Sequence, residues 1–151
     1  MANVIAEIGI NFGGDLDVAK NLILQASRSR CWGVKFQFRN LDTFYFVDNE
    51  IGDAMVRSEI VKNHLTFANI LELQDYSNSL GLFFGMSFFR KEDVDFYLKN
   101  IKDADFYKVP SAESMNVSLV DALLQRDKRV LISTGGQIIA DILELYSSAK
   151  Y

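Results

Sequence analysis

The feature that most constrains this chain is a rhythm. Five apolar runs of strand length alternate with five segments whose apolar residues recur at helical spacing. Strands are expected at 3–10, 32–39, 82–89, 105–111 and 129–135, and helices at 16–30, 66–80, 91–101, 117–127 and 138–150. In the first helical segment Leu16, Ala19, Leu22, Ile23 and Ala26 share a face, and Asp15 stands where an N-cap belongs. Gly81 closes the second helix, and Pro110, which has no amide donor, sits where the fourth strand should end. Such alternation means parallel strands joined by helical crossovers, either a doubly wound sheet or a (β/α)8 barrel, and periodicity does not choose between them. Residues 40–65 break the rhythm and read as an insertion after the second strand.

Composition narrows the function. A chain of 151 residues, 49% hydrophobic and 24% charged, is one globular domain in size and balance. A net charge of -4 argues against general affinity for nucleic acid or anionic membrane, because both need a basic face. The N-terminus lacks the basic region of a signal peptide, and no apolar run reaches the roughly 18 residues that span a bilayer. A soluble, cytoplasmic protein is expected, and the single cysteine, Cys31, agrees with a reducing compartment.

The strands carry the chemistry. Side chains alternate along a strand, so Glu7, Gly9 and Asn11 share one face, with Ala6, Ile8 and Ile10 on the other. In the second strand Lys35, Gln37 and Arg39 oppose Val34, Phe36 and Phe38. In a barrel the polar faces look inward, and a carboxylate and an ammonium from neighbouring strands meet near the C-terminal mouth, where enzymes of that architecture keep their sites. The later strands end in GMSFF, YKVPSAES and LISTGGQ, which supply Ser87, Lys108, Ser111, Ser133 and Thr134 as donors suited to a phosphate or carboxylate. A plainer alternative stays open, in which Lys35 is a snorkelling surface lysine and Glu7 its ion-pair partner.

AEIGINFGGDLDVAKNLI, VKFQF, FYKVPSAES and VLISTGG, in this order, resemble the N-terminal part of the sialic acid synthase (N-acetylneuraminate synthase) family. The resemblance implies a (β/α)8 barrel of the TIM type, incomplete, with about five strand-helix units present in residues 1–151. It implies condensation of phosphoenolpyruvate with an N-acylated amino sugar to a nonulosonic acid, with release of phosphate. A divalent metal, manganese or magnesium, would polarise the sugar aldehyde, and a homodimer is implied for the full-length protein. Glu7 matches the acidic residue near the reacting carbons. Lys35, and Lys108 with Ser111, match phosphoenolpyruvate contacts. Ser87 and Glu113 fall at the family's third-strand hydroxyl and its Ser-Gly-Glu turn. Asn11, Gln37, Ser133 and Thr134 complete the expected substrate-binding set.

Departures accompany the matches. Phe12 stands where the family usually has histidine, which removes a polar group from the first loop. Phe88 replaces a frequent proline, Ala112 a glycine and Gly136 a methionine. The metal-ligand histidines of the family belong to later strands, beyond Tyr151, and the one histidine here, His64, lies in the insertion. No set of ligands with metal spacing is therefore expected in this chain. Two other readings are carried forward: another barrel aldolase or synthase for an anionic substrate, and a non-catalytic half-barrel that works only with a complementary chain.

Overall fold

Three helices begin at residues whose side chains cap them, Asp15, Thr66 and Asn116. In the computed structural model, which describes residues 2–41, 54–101 and 103–147, the order is β1 (Ile5–Gly9), α1 (Leu16–Arg28), β2 (Gly33–Gln37), α2 (Ala54–Lys62), α3 (Phe67–Ser79), β3 (Phe83–Ser87), α4 (Lys91–Asn100), β4 (Phe106–Val109), α5 (Val117–Leu124), β5 (Arg129–Ile132) and α6 (Ile139–Ser147). Asp15 caps α1 by accepting from the amides of Asp17 at 2.8 Å and Val18 at 3.2 Å. Thr66 and Asn69 form a reciprocal capping box at the start of α3. Gly81 follows that helix with φ +74°, and β4 stops at Val109, immediately before Pro110.

One helix was not foreseen. Within the 40–65 segment, α2 raises the count to six helices among the described residues, and the aromatic stretch at 44–46 lies outside them. The tip of α2 docks on the β1–α1 loop, where the Gly14 amide donates to Asn63 Oδ1 at 3.0 Å. Only glycine fits at position 14: its φ is +82°, and a Cβ would overlap the Lys62 carbonyl oxygen.

All strand pairs are parallel, and the order across the sheet is β1-β2-β3-β4-β5. A doubly wound sheet reverses its strand order at a switch point. Strictly sequential order is the arrangement of a TIM-type barrel, here five strand-helix units of one. Among the described residues, β1 and β5 each pair on one side only.

The two faces are packed differently. Val34, Phe36, Phe84, Met86, Tyr107 and Val109 form the outward face, buried under the helices with Ile23, Ile70, Val94 and Leu119. On the inner face Gly33, Gly85 and Phe106 make the floor. A Cβ on Gly85 would overlap the Phe106 ring, so the missing side chain on β3 is the space that the ring on β4 fills. The β1 expectation needs one correction. Gly9 sits at a register shift with φ +56°, and the alternation of faces is reset there. Ile10, expected with the apolar face, is 38% exposed, and Phe12 takes the core position, its ring 5.9 Å from that of Phe36.

Candidate functional site

The inner face becomes polar immediately above the glycine and phenylalanine floor. Register brings Glu7 opposite Lys35, Lys35 opposite Gly85, Gln37 opposite Ser87, and Ser87 opposite Lys108. With no side chain on Gly85, the Lys35 stem lies along the sheet and its ammonium donates to Ser87 Oγ at 2.9 Å. Lys35 is only 2% exposed, which excludes the snorkelling surface lysine.

Glu7 gathers both cations. Its Oε1 lies 3.1 Å from Lys108 Nζ and its Oε2 3.8 Å from Lys35 Nζ. Lys35, the neighbour expected from sequence, is thus the more distant partner. In a flat sheet β1 and β4 would stand about 14 Å apart, at three strand spacings. Curling of the sheet brings the two side chains together across its concave face. This answers why a charge stands in an apolar strand: Glu7 faces the mouth, with 55% of its side chain exposed and two ammonium groups beside it.

The electrostatics follow from burial and pairing. Partial burial works to raise the Glu7 pKa, but the hydrogen bond from Lys108 and the charges of Lys35 and Lys108 outweigh it, and the carboxyl is held below its ordinary value. Desolvation pushes Lys35 down to about 8; the Glu7 charge opposes that fall and the Lys108 charge adds to it.

The other expected site residues are placed around this cluster. Asn11 is exposed on the β1–α1 loop, and its side-chain amide donates to the Glu7 carbonyl at 3.4 Å. Gln37 packs against Gly9 and lines a shallow recess with Ile10, Arg39, Asn63 and His64. Ser111 opens a single 3-10 turn, Ser111–Glu113, and lies against Gly135 in the loop after β5. Ser133 and Thr134 follow β5 and are half-buried, and the Ser133 amide donates to the Val109 carbonyl at 3.0 Å. Glu113 has another occupation: its carboxylate accepts from the side-chain amide of Asn116, the residue that caps α5. Hydrogen bonds and ion pairs therefore join Glu7, Lys35, Ser87 and Lys108, and the remaining expected residues lie at or just beyond the C-terminal ends of β1, β2, β4 and β5.

One residue beside the mouth, and one contact of another, escaped the sequence reading. Asn63, buried on the tip of α2, fixes the β1–α1 loop through Gly14; the paired glycines at 13 and 14 were the available signal. Arg39 was placed on the polar face of its strand, but its stacking over the Phe89 ring, 3.3 Å from the centroid, had no sequence signature. A metal does not fit what is present. Among the described residues, no three His, Cys, Asp or Glu side chains come together in a way that could hold an ion. No described helix is long and apolar enough to cross a membrane.

Comparison with known proteins decides the lineage of this arrangement. A profile described as the NeuB family matches residues 22–150. The chain belongs to the NeuB family. Among its relatives, the N,N'-diacetyllegionaminic acid synthase of Legionella pneumophila is 30% identical over 142 residues, covering 87% of this chain and 39% of that protein. The human N-acetylneuraminate-9-phosphate synthase is 30% identical over 156 residues, covering 97% of this chain and 43% of that protein. The NeuB-family chain thus spans about two fifths of the length of these curated relatives. In structure it resembles the N-acetylneuraminic acid synthetase of Leptospira borgpetersenii, with a TM-score of 0.78 at 23% identity over 95% of this chain and 48% of that one, a likeness of fold. The family match and the barrel-type sheet are consistent with one another.

Proposed function

We propose that this NeuB-family chain supplies the phosphoenolpyruvate half of a nonulosonic acid synthase site. The observation that carries the reading is the convergence of Lys35, Lys108 and Ser87 with Glu7 at the mouth end of four successive parallel strands. Two ammonium groups and a hydroxyl suit the phosphate and carboxylate of phosphoenolpyruvate. The names of the relatives, synthases of legionaminic and neuraminic acids, support the product class. The acceptor, an N-acylated amino sugar, would lie toward the Gln37, Arg39 and Asn63 recess.

In the proposed reaction C3 of phosphoenolpyruvate attacks the aldehyde carbon of the sugar, the carbonyl π pair moves to the aldehyde oxygen, which takes a proton from solvent, and cationic character is left at C2. Water adds at C2, and the tetrahedral intermediate expels phosphate to give the 2-keto acid. Lys35 and Lys108 hold the anion in place. Glu7, a carboxylate at neutral pH, stabilises the positive C2 and takes the proton of the attacking water. In the family a divalent metal supplies polarisation of the aldehyde; the described residues offer it no ligand set. The test is turnover of phosphoenolpyruvate by the protein that contains this chain together with the rest of its barrel. Glu7→Gln should lower kcat by about a hundredfold or more, the scale of losing one electrostatic or acid-base group. An unchanged kcat would assign Glu7 to structure alone.

A second reading concerns assembly. The one-sided pairing of β1 and β5 favours a complementary half-barrel, on this or another chain, because open strand edges are templates for pairing. Sedimentation of the isolated chain should show association, and a stable monomer would count against it.

A further inference from the structure

The Glu7 carboxylate uses both of its oxygens, one toward each lysine. Oε1 meets Lys108 and Oε2 faces Lys35, so a single carboxylate bridges two cations that come from β4 and β2. The layering is also informative. The Lys35 side chain is buried, that of Lys108 nearly so, and Glu7 is the exposed outer member. An anion approaching the mouth meets Glu7 already standing at the two ammonium groups.

We propose that Glu7 is the resident anion of the Lys35–Lys108 site, which a ligand must displace, and that this competition restricts the site to ligands bearing a doubly charged anionic group such as phosphate. The inference rests on reading this face as an anion site, and it adds that ligand binding and departure of Glu7 are one event. Exchanging one carboxylate for another conserves the number and kind of charge-assisted hydrogen bonds. A monocarboxylate from solution therefore gains little in contacts while losing its translational freedom, whereas Glu7 is tethered and effectively concentrated at the site. A phosphate dianion brings a second charge and a third oxygen against the same two ammonium groups and Ser87, which is enough to shift the exchange. Glu7, once displaced, swings over the mouth without its cations, where the proposed reaction needs a free carboxylate.

The experiment is calorimetric titration of the protein that contains this chain together with the rest of its barrel, and of its Glu7→Gln variant, with inorganic phosphate and, separately, with pyruvate as a monocarboxylate probe. Removing the resident charge should tighten phosphate binding by about tenfold or more, the weight of one charge-assisted hydrogen bond, and should create pyruvate binding that the parent lacks. Phosphate binding that is equal or weaker in the variant overturns the competition and leaves the anion site standing. Failure of both proteins to bind phosphate overturns the anion site as well. If Glu7→Gln does not fold, the parent still decides: its Glu7 carboxyl carbon resonance must move on saturation with phosphate at constant pH, and a stationary resonance refutes displacement.

Discussion

Lys35 should make this chain less stable than it would be with a neutral residue in its place, and the size of the effect follows from its surroundings. Its ammonium is buried, and its pKa falls from 10.5 to about 8. At about 1.36 kcal/mol per pH unit, that gap corresponds to roughly 3 kcal/mol held against the folded state wherever the lysine is charged in both states. Lys35→Met keeps an unbranched apolar stem and removes the charge. It also strips Ser87 Oγ of its donor, a loss of about 1 kcal/mol. A net gain of roughly 2 kcal/mol is expected at pH 7 from these two terms. The sign of the pH dependence follows from proton counting. Between about 8 and 10.5 the unfolded chain still holds the lysine proton while the folded chain releases it, so the parent gains stability as pH rises through that window. The variant has no such gain, so its advantage is full below pH 8, shrinks above it and reverses at the alkaline end. Urea unfolding of both proteins from pH 7 to 11 measures the difference directly, other lysines being common to the two. A variant that is less stable at pH 7, or an advantage that does not change with pH, would refute the reasoning.

Two further substitutions test the packing that holds the site. Gly85→Ala drives a methyl into the Phe106 ring, and the melting temperature should fall by the equivalent of about 1–3 kcal/mol, with the Lys35 stem displaced; an unshifted melt would mean that the floor yields freely. Asn63→Ala leaves the Gly14 amide without its acceptor and should cost about 1–3 kcal/mol, accompanied by faster hydrogen exchange at Gly14; unchanged exchange would show that water replaces the side chain there.

The alternation of strands and helices, and the inward set of Glu7, Lys35, Ser87 and Lys108, were legible because a period of two and a capped helix are local properties. Strand order was not, since no local period encodes which neighbour a strand pairs with, and only family resemblance pointed to the barrel. The misplacement of Ile10 has a definite cause: the register shift at Gly9 breaks the parity on which the reading of faces depended, exposing Ile10 and burying Phe12. Phe12, read as a departure that removes a polar group from the first loop, packs in the core against Phe36. Glu113 was read as part of the site, and the structure gives its carboxylate to Asn116, a contact made three residues along the chain. The nearer bond of Glu7 to Lys108 escaped the sequence because reach across three strands depends on the curvature of the sheet.

The Lys108–Glu7 contact also bears on the order of events in folding. It closes a loop from position 7 to position 108, whereas each parallel pair on the way closes a much shorter one. Closing that loop directly, before the intervening strands have paired, would carry the largest entropic cost, so the contact forms once successive pairings have curled the sheet. The Lys108–Glu7 contact is then expected to be absent from the folding transition state and to be among the first lost on unfolding. Lys108→Ala should accelerate unfolding and leave the refolding rate nearly unchanged in stopped-flow measurements, and a slowed refolding rate would place the contact in the nucleus.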